Sequence, residues 1–235
     1  MLQLVCLPGL LCTAGVYDRL RDVLDVDVLA LDLPQADTFD VIVAEIVAQL
    51  PVRAVLVGMS MGSYLALAIA RQAPEKIAGL VLIGTNTAAD SPRAAALRGK
   101  VAAWAAREGI PALAGSIADS MLSDTRRADP ILRDAILTMA EATGLDTFTA
   151  HQAALAGRPD QTAALSEITC PVLVLTGAED MITPPEAGRS VANSVADGQF
   201  VLLEGVGHMP VLEVPDTVAH HLKPFLTELT SRETA

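Results

Sequence analysis

A chain of 235 residues, 51% hydrophobic and 19% charged, is long enough to bury one sizeable core, and α/β domains of this length are commonly single. The formal net charge of −12, with no basic cluster to offset it, excludes a phosphate-backbone binder and predicts a well-solvated surface. Three cysteines, Cys6, Cys12 and Cys170, are an odd number without metal-ligand spacing, so reduced thiols and no metal site are expected.

The chain opens on LQLVCL (2–7), which reads as a strand. Its start, MLQLVCLPGLL, lacks a basic n-region and is broken by Pro8-Gly9, so no secretory signal is expected. Tyr17 to Leu24 reads as helix, DVLALDL (27–33) as strand, Phe39 to Leu50 as helix and RAVLVG (53–58) as strand. A helix follows from Met61 to Ala73, stopped by Pro74, and then the strand AGLVLIG (78–84). Unbroken apolar strands alternating with helices indicate a parallel sheet covered on both faces. The rhythm breaks after Gly84. Residues 86–165 are alanine-rich and read as four helices: AAALRGKVAAWAAREG, IPALAGSIADSML, PILRDAILTMAEATG and TFTAHQAALAG. It resumes with PVLVLTG (171–177), EAGRSVANSV (186–195), QFVLLEG (199–205) and a last helix within Pro215 to Thr230, with TSRETA expected to fray. The organisation predicted is one α/β core, residues 1–85 and 166–235, interrupted after its fourth strand by a helical cap, residues 86–165. Such an insertion usually covers the carboxyl ends of the strands, where open sheets bind ligands. No apolar run reaches the ~18 residues of a membrane span, so no membrane partner is expected and the cytoplasm is the expected location.

One corner of this pattern carries chemistry. Gly58-Met59-Ser60-Met61-Gly62 stands between a strand and a helix. A sharp turn there strains the serine backbone and lifts its hydroxyl above the sheet, and side chains at Gly58 and Gly62 would collide as the turn closes. The helix from Met61 adds a free N–H and a positive dipole end. A serine hydroxyl needs a base, and the base an orienting acid. Of four histidines, His220 and His221 lie in the last helix and His151 reads as ordinary cap surface. His208 lies in the glycine-rich loop GVGHMP after a strand, which suits a base. Asp180, in LTGAEDMITPP just past another strand, is the acid candidate, with Glu179 as its neighbour and rival. Backbone donors for an oxyanion are expected from Met61 and, after the Gly9 turn, from Leu10.

These residues resemble the α/β-hydrolase superfamily over nearly the whole chain. GMSMGSYLALAIARQAPEKIAGLVLIGT is similar to its elbow, helix and following strand; ITCPVLVLTGAEDMITPPEAG to its acid strand and loop; VLLEGVGHMPVLEVPDTVAHHLKPFL to its histidine loop and final helix. The resemblance implies Ser60 as nucleophile, Asp180 as acid and His208 as base, an oxyanion hole from Leu10 and Met61, and no cofactor. AGRPDQT is similar to a segment of family members described as carboxylesterases or enol-lactonases, with Arg158 and Asp160 read as structural. Two departures matter. Pro8-Gly9 stands where members commonly have His-Gly, and the chain starts on the strand leading into the oxyanion loop, so a shortened sheet of about six strands, all parallel, is expected.

The reaction expected is acyl transfer to water: cleavage of a small apolar carboxylic ester through an acyl-enzyme. An enol-lactone, thioester or carbon–carbon bond, or transfer to another acceptor as in an acyltransferase or perhydrolase, would suit the same residues, and a non-catalytic receptor is the rival from another class. Pocket candidates are Leu11, Cys12 and three methionines beside the triad, Met59, Met181 and Met209, whose flexible thioethers suit apolar acyl groups. The acidity is expected to disfavour strongly anionic substrates at long range, and the cap is expected to move as a lid. Nothing in the chain predicts an oligomeric state.

Overall fold

The computed structural model describes residues 2–233. The apolar runs become strands β1 (Gln3–Leu7), β2 (Val28–Ala30), β3 (Ala54–Met59), β4 (Ile77–Ile83), β5 (Val172–Gly177) and β6 (Gly198–Leu203). They form one sheet in the order β2-β1-β3-β4-β5-β6. Every neighbouring pair is parallel. Six parallel strands agree with the expected shortened sheet. Strand order reverses between β1 and β3, and a crevice opens beyond their carboxyl ends at such a reversal.

Side chains of a strand alternate between faces, and both faces here are apolar. Leu4, Cys6, Val55 and Val57 turn to one side, where they meet Leu20 of α1 (Asp18–Val23) and Leu222 and Phe225 of α9 (Pro215–Glu233). Val5, Leu7 and Leu56 turn to the other, against Ile42 of α2 (Phe39–Gln49), Leu65 of α3 (Met61–Gln72) and Val191 of α7 (Pro185–Ser194). Truncating a core residue such as Leu56 to alanine costs about 2–5 kcal/mol in sites of this kind.

Three elements differ from the sequence reading. The strand expected over 27–33 pairs only over β2, because at this sheet edge the chain turns away after Leu31, and the Asp32 carboxylate accepts from Ala14 N–H at 2.6 Å. A four-residue helix, Pro210–Glu213, follows the histidine loop and is labelled α8. The frayed end expected from Thr230 is instead helical to Glu233, where Arg232 bonds Asp197 at 2.6 Å and Glu228 at 2.5 Å. The last two residues of TSRETA lie outside the described residues.

Between β4 and β5 the chain is helical: α4 (Pro92–Glu108), α5 (Ile110–Met121) and α6 (Pro130–Ala156). Ser91 caps α4 by accepting from Ala94 N–H, and Asp129 caps α6 by accepting from Ile131 and Leu132 N–H. The two final helices expected here are arms of α6, kinked at Gly144, whose φ of 74° is a left-handed value that favours glycine. These helices share a small core of Ala105, Leu113, Ala140 and Phe148, joined by Leu11 from the loop after β1.

His151, expected at the cap surface, is buried at 3% exposure and ties α6 to the loop after β2. Its Nε2 lies 2.9 Å from the carbonyl of Pro34, which can only accept, so Nε2 carries the proton. Its Nδ1 is buried without a partner. Burial holds this imidazole below its ordinary pKa of 6.5, while the bond to Pro34 pulls weakly the other way. The unfolded chain therefore takes up a proton below pH 6.5 that the folded chain resists, and this contribution to stability is lost as pH falls through that range. Thermal melts between about pH 8 and about pH 5.5 should show a smaller fall in Tm for His151→Gln than for the wild type. Equal falls would mean that His151 does not govern this dependence.

Candidate active site

The candidate site is built from four loops at the carboxyl ends of β1, β3, β5 and β6. Ser60 sits between β3 and α3 with φ 51° and ψ −118°, a conformation that non-glycine residues rarely hold. Surrounding bonds hold it there. Its N–H donates to Ile83 O at 2.8 Å, and its carbonyl accepts from Ser63 N–H at 2.9 Å and Ser63 Oγ at 2.6 Å. The flanking glycines are sterically required. A β-carbon at Gly58 would lie 2.4 Å from Gly62 O, and one at Gly62 would lie 2.1 Å from Leu7 O. The loop after β1 packs onto this turn, with the Cα of Gly9 facing Ser60, and Leu11 within it holds φ 60°. The N–H groups of Leu10 and Met61 make no hydrogen bond to another described residue.

Asp180 follows β5 and is buried. Its Oδ1 accepts from Ile182 N–H at 2.9 Å and Thr183 N–H at 2.8 Å; its Oδ2 accepts from Thr183 Oγ1 and from His208 Nδ1, each at 2.8 Å. Burial pushes the Asp180 carboxyl upward, but the bonds and charge from His208, with those from Thr183, outweigh it and hold the pKa below the ordinary 3.8. An ionised carboxylate only accepts, so Nδ1 carries the proton, and in the neutral imidazole the lone pair is then on Nε2. Glu179, the rival acid, turns the other way and accepts from Asp124 N–H at 2.7 Å. His208 shares with Ser60 a cavity of about 210 Å³.

The histidine loop is tied to the end of α5. His208 N–H donates to Met121 O at 2.9 Å. The Glu213 carboxylate, 4% exposed, accepts from Gly207 N–H at 2.9 Å and Met209 N–H at 3.4 Å through Oε1, and from Ser123 N–H at 2.9 Å through Oε2. It bridges the loop that carries the histidine and the end of α5. Nothing in the sequence singled it out, because its partners are backbone groups brought up by the fold.

Of the pocket candidates, Leu11, Cys12, Met59 and Met209 line the cavity, together with Leu10 and Met61. Met181 does not. It is 79% exposed, because the turn that points Asp180 inward and bonds Oδ1 to the next two N–H groups throws Met181 to the outside. Ile182 and Met121 of α5 lie on the wall instead. Tyr64, Arg98 and Gln152 also line the cavity and were not singled out. Tyr64 stands one helical turn after Ser60, a spacing that signals a shared face. Arg98 and Gln152 come from α4 and α6 and carry no local signal. Burial raises the Tyr64 phenol, opposed by Arg158, whose guanidinium stacks 4.2 Å from the ring centroid, and by Arg98. Arg158 also donates to Ala88 O at 2.6 Å, and Asp160 accepts from Ala89 and Thr162 N–H, so both brace the segment between β4 and α4. Burial pushes the Cys12 thiol up to about 12, which leaves it inert as a nucleophile. Among the described residues no group of three or more His, Cys, Asp or Glu is placed to hold a metal ion, and no helix is long and apolar enough to cross a membrane.

The chain belongs to the alpha/beta hydrolase family, whose model matches residues 4–221. It is 30% identical over 205 residues to a pimeloyl-[acyl-carrier protein] methyl ester esterase of Neisseria meningitidis serogroup C, covering 83% of this chain and 78% of the relative. Among solved structures, a thermophilic esterase from Thermogutta terrifontis with malate bound superposes with a TM-score of 0.92 at 28% identity, covering 97% of this chain and 90% of that one. The enol-lactonase from Burkholderia xenovorans LB400 shares the fold, with a TM-score of 0.85 at 22% identity over 96% of this chain and 91% of that one. The protein is an α/β-fold hydrolase.

Glu213→Gln should lower stability by about 1–3 kcal/mol in denaturant unfolding, because one amide oxygen cannot serve donors on both sides and the new N–H₂ faces one of them. Glu179→Gln, whose single partner lies at the surface, should change stability by less than about 1 kcal/mol. Similar losses for the two would contradict the bridging role of Glu213.

Proposed function

We propose that the protein is a serine carboxylesterase that cleaves small, largely apolar carboxylic esters. The observation that carries this reading is the buried Asp180–His208 pair at 2.8 Å, which leaves Nε2 with a lone pair in the cavity that also holds the strained Ser60. In this reading His208 takes the Ser60 proton as Oγ attacks the ester carbonyl, and Asp180 steadies the imidazolium. The oxyanion is held by the free N–H groups of Leu10 and Met61, each such donor being worth about 3 kcal/mol in sites of this type. His208 then protonates the leaving alcohol and activates water against the acyl-enzyme. The two esterases named above, at 30% and 28% identity, favour a carboxylic ester over a thioester or carbon–carbon bond.

We also propose that residues 86–165 act as a cap over a core of residues 1–85 and 166–235. The cap supplies Met121, Arg98 and Gln152 to the cavity wall. Three free cysteines suit a reducing compartment such as the cytoplasm.

Ser60→Ala should fold with an unchanged melt, lose ester hydrolysis and lose labelling by a fluorophosphonate probe. Asp180→Asn should lower kcat by about 10³–10⁴-fold, because an amide no longer fixes the imidazole tautomer. An active Ser60→Ala protein would sink the reading.

A cavity of about 210 Å³ lies below the roughly 300–1,000 Å³ of sites for drug-sized ligands. Across p-nitrophenyl esters of rising acyl length, kcat/KM should peak at short to medium chains with broad tolerance. A sharp optimum at long chains would show that the cavity is not where the acyl group lies.

A further inference from the structure

The cavity wall is mostly apolar; besides Ser60 and His208 its polar residues include Tyr64, Ser120, Arg98 and Gln152, and the last two form a corner that offers hydrogen-bond donors. Arg98 of α4 donates Nη1 to Gln152 Oε1 of α6 at 3.0 Å. A guanidinium cannot accept, so this bond fixes the amide with its oxygen toward Arg98 and its Nε2 away from it. Both residues line the cavity, and Gln152 Nε2 makes no hydrogen bond to another described residue. Asp90 holds the other edge of Arg98 through Nε and Nη2. Of the five guanidinium N–H groups, one on Nη1 and one on Nη2 remain uncommitted.

The charges at this corner do not cancel. Asp90 also faces Arg158, whose Nη2 lies 3.4 Å from its Oδ1. Two guanidinium groups therefore share one buried carboxylate, the Arg158 and Asp90 side chains being only 2% and 8% exposed, whereas Asp160, which also attracts Arg158, lies at the surface where water screens it. Asp180, the carboxylate at the other end of the site, is committed to His208 and Thr183. At the Tyr64 hydroxyl between them, Arg158 and Arg98 act ahead of Asp180.

We propose that Arg98 and Gln152 form a carboxylate-binding subsite, so that the preferred substrate is a short ester bearing a second, free carboxylate a few bonds from the scissile carbonyl. This deepens the esterase reading and rests on it. A neutral acceptor would satisfy the donors but leave the surplus charge without a partner in an apolar enclosure. A carboxylate satisfies both, through charge-assisted bonds. The overall acidity slows the approach of an anion, but the corner acts on it once it has entered.

Two substrate pairs test this: monomethyl glutarate against methyl hexanoate, with the carboxylate on the acyl side, and 4-acetoxybutyrate against pentyl acetate, with it on the alcohol side. In at least one pair the wild type should favour the carboxylate by about tenfold or more in kcat/KM. Gln152→Glu keeps the acceptor for Arg98 but replaces the amide donors with a negative charge, and should bring that ratio below one. Independently of turnover, the same carboxylate ester should bind Ser60→Ala about tenfold more tightly than its neutral counterpart in calorimetry. Esters cleaved without preference in either pair, or equal binding within both pairs, would overturn the subsite. Binding preference without any ester cleavage by the wild type would overturn the esterase reading and leave the subsite standing. Should Gln152→Glu fail to fold, the wild-type ratios and the Ser60→Ala titrations still decide.

Discussion

The contact on which the site depends is one with no room in it. At Gly62 the first turn of α3 comes so close to the end of β1 that a β-carbon would lie 2.1 Å from the Leu7 carbonyl. That approach holds the turn after β3 against the loop after β1, two segments far apart in sequence that become neighbours because β1 and β3 pair in parallel. The strain at Ser60, with φ 51°, is then sustained by the rest of the sheet. Conformations of this kind cost about 1–3 kcal/mol and persist only where the surroundings over-determine them. Here Ile83 of β4 takes the Ser60 N–H, so three adjacent strands fix one hydroxyl.

A second group of contacts joins the histidine loop to the loop after β5 and to the end of α5. The histidine loop is not anchored by the sheet alone. Gly177 lets the end of β5 pack backbone to backbone on the loop after β6, where a β-carbon would lie 2.1 Å from Gly207 O, and Gly207 lets that loop approach the end of α5, where a β-carbon would lie 2.5 Å from Ser123 N. Glu213 then fastens the same loop to Ser123 at the end of α5. The position of the imidazole is thus linked to the position of α5. Rearrangement of α5 would be felt at His208 through Met121 O and Glu213 as well as at the cavity wall, which Met121 lines.

The cavity combines two kinds of recognition. Most of its wall is apolar and includes the pliable side chains of Met59, Met61, Met121 and Met209. Against this stands a rigid corner in which Arg98 is braced by Asp90 on one edge and Gln152 on another. A soft wall tolerates variation in shape, whereas a fixed donor set rewards one chemical feature. Within about 210 Å³, the two together define orientation more than size.

Much of this was legible in the sequence because it is local. Apolar strands read as a buried parallel sheet, and Gly58 and Gly62 around Ser60 read as a sharp turn because the steric requirement lies within five residues. Asp180 and His208 were legible as candidates because each follows a strand directly, and strand ends in such a sheet face one crevice. Other features depend on partners that only the tertiary structure supplies. Met181 sits beside Asp180 in sequence yet points outward, because the bonds to Asp180 Oδ1 set the direction of the turn. His151 looks like a surface residue until Pro34 O appears 117 positions away. Arg98 and Gln152 lie 54 positions apart on separate helices, and their alignment against Asp90 follows from helix packing, which no local pattern records. Sequence determined the chemistry available at the strand ends; tertiary packing decided which side chains face it, because direction and partnership are set by groups distant along the chain.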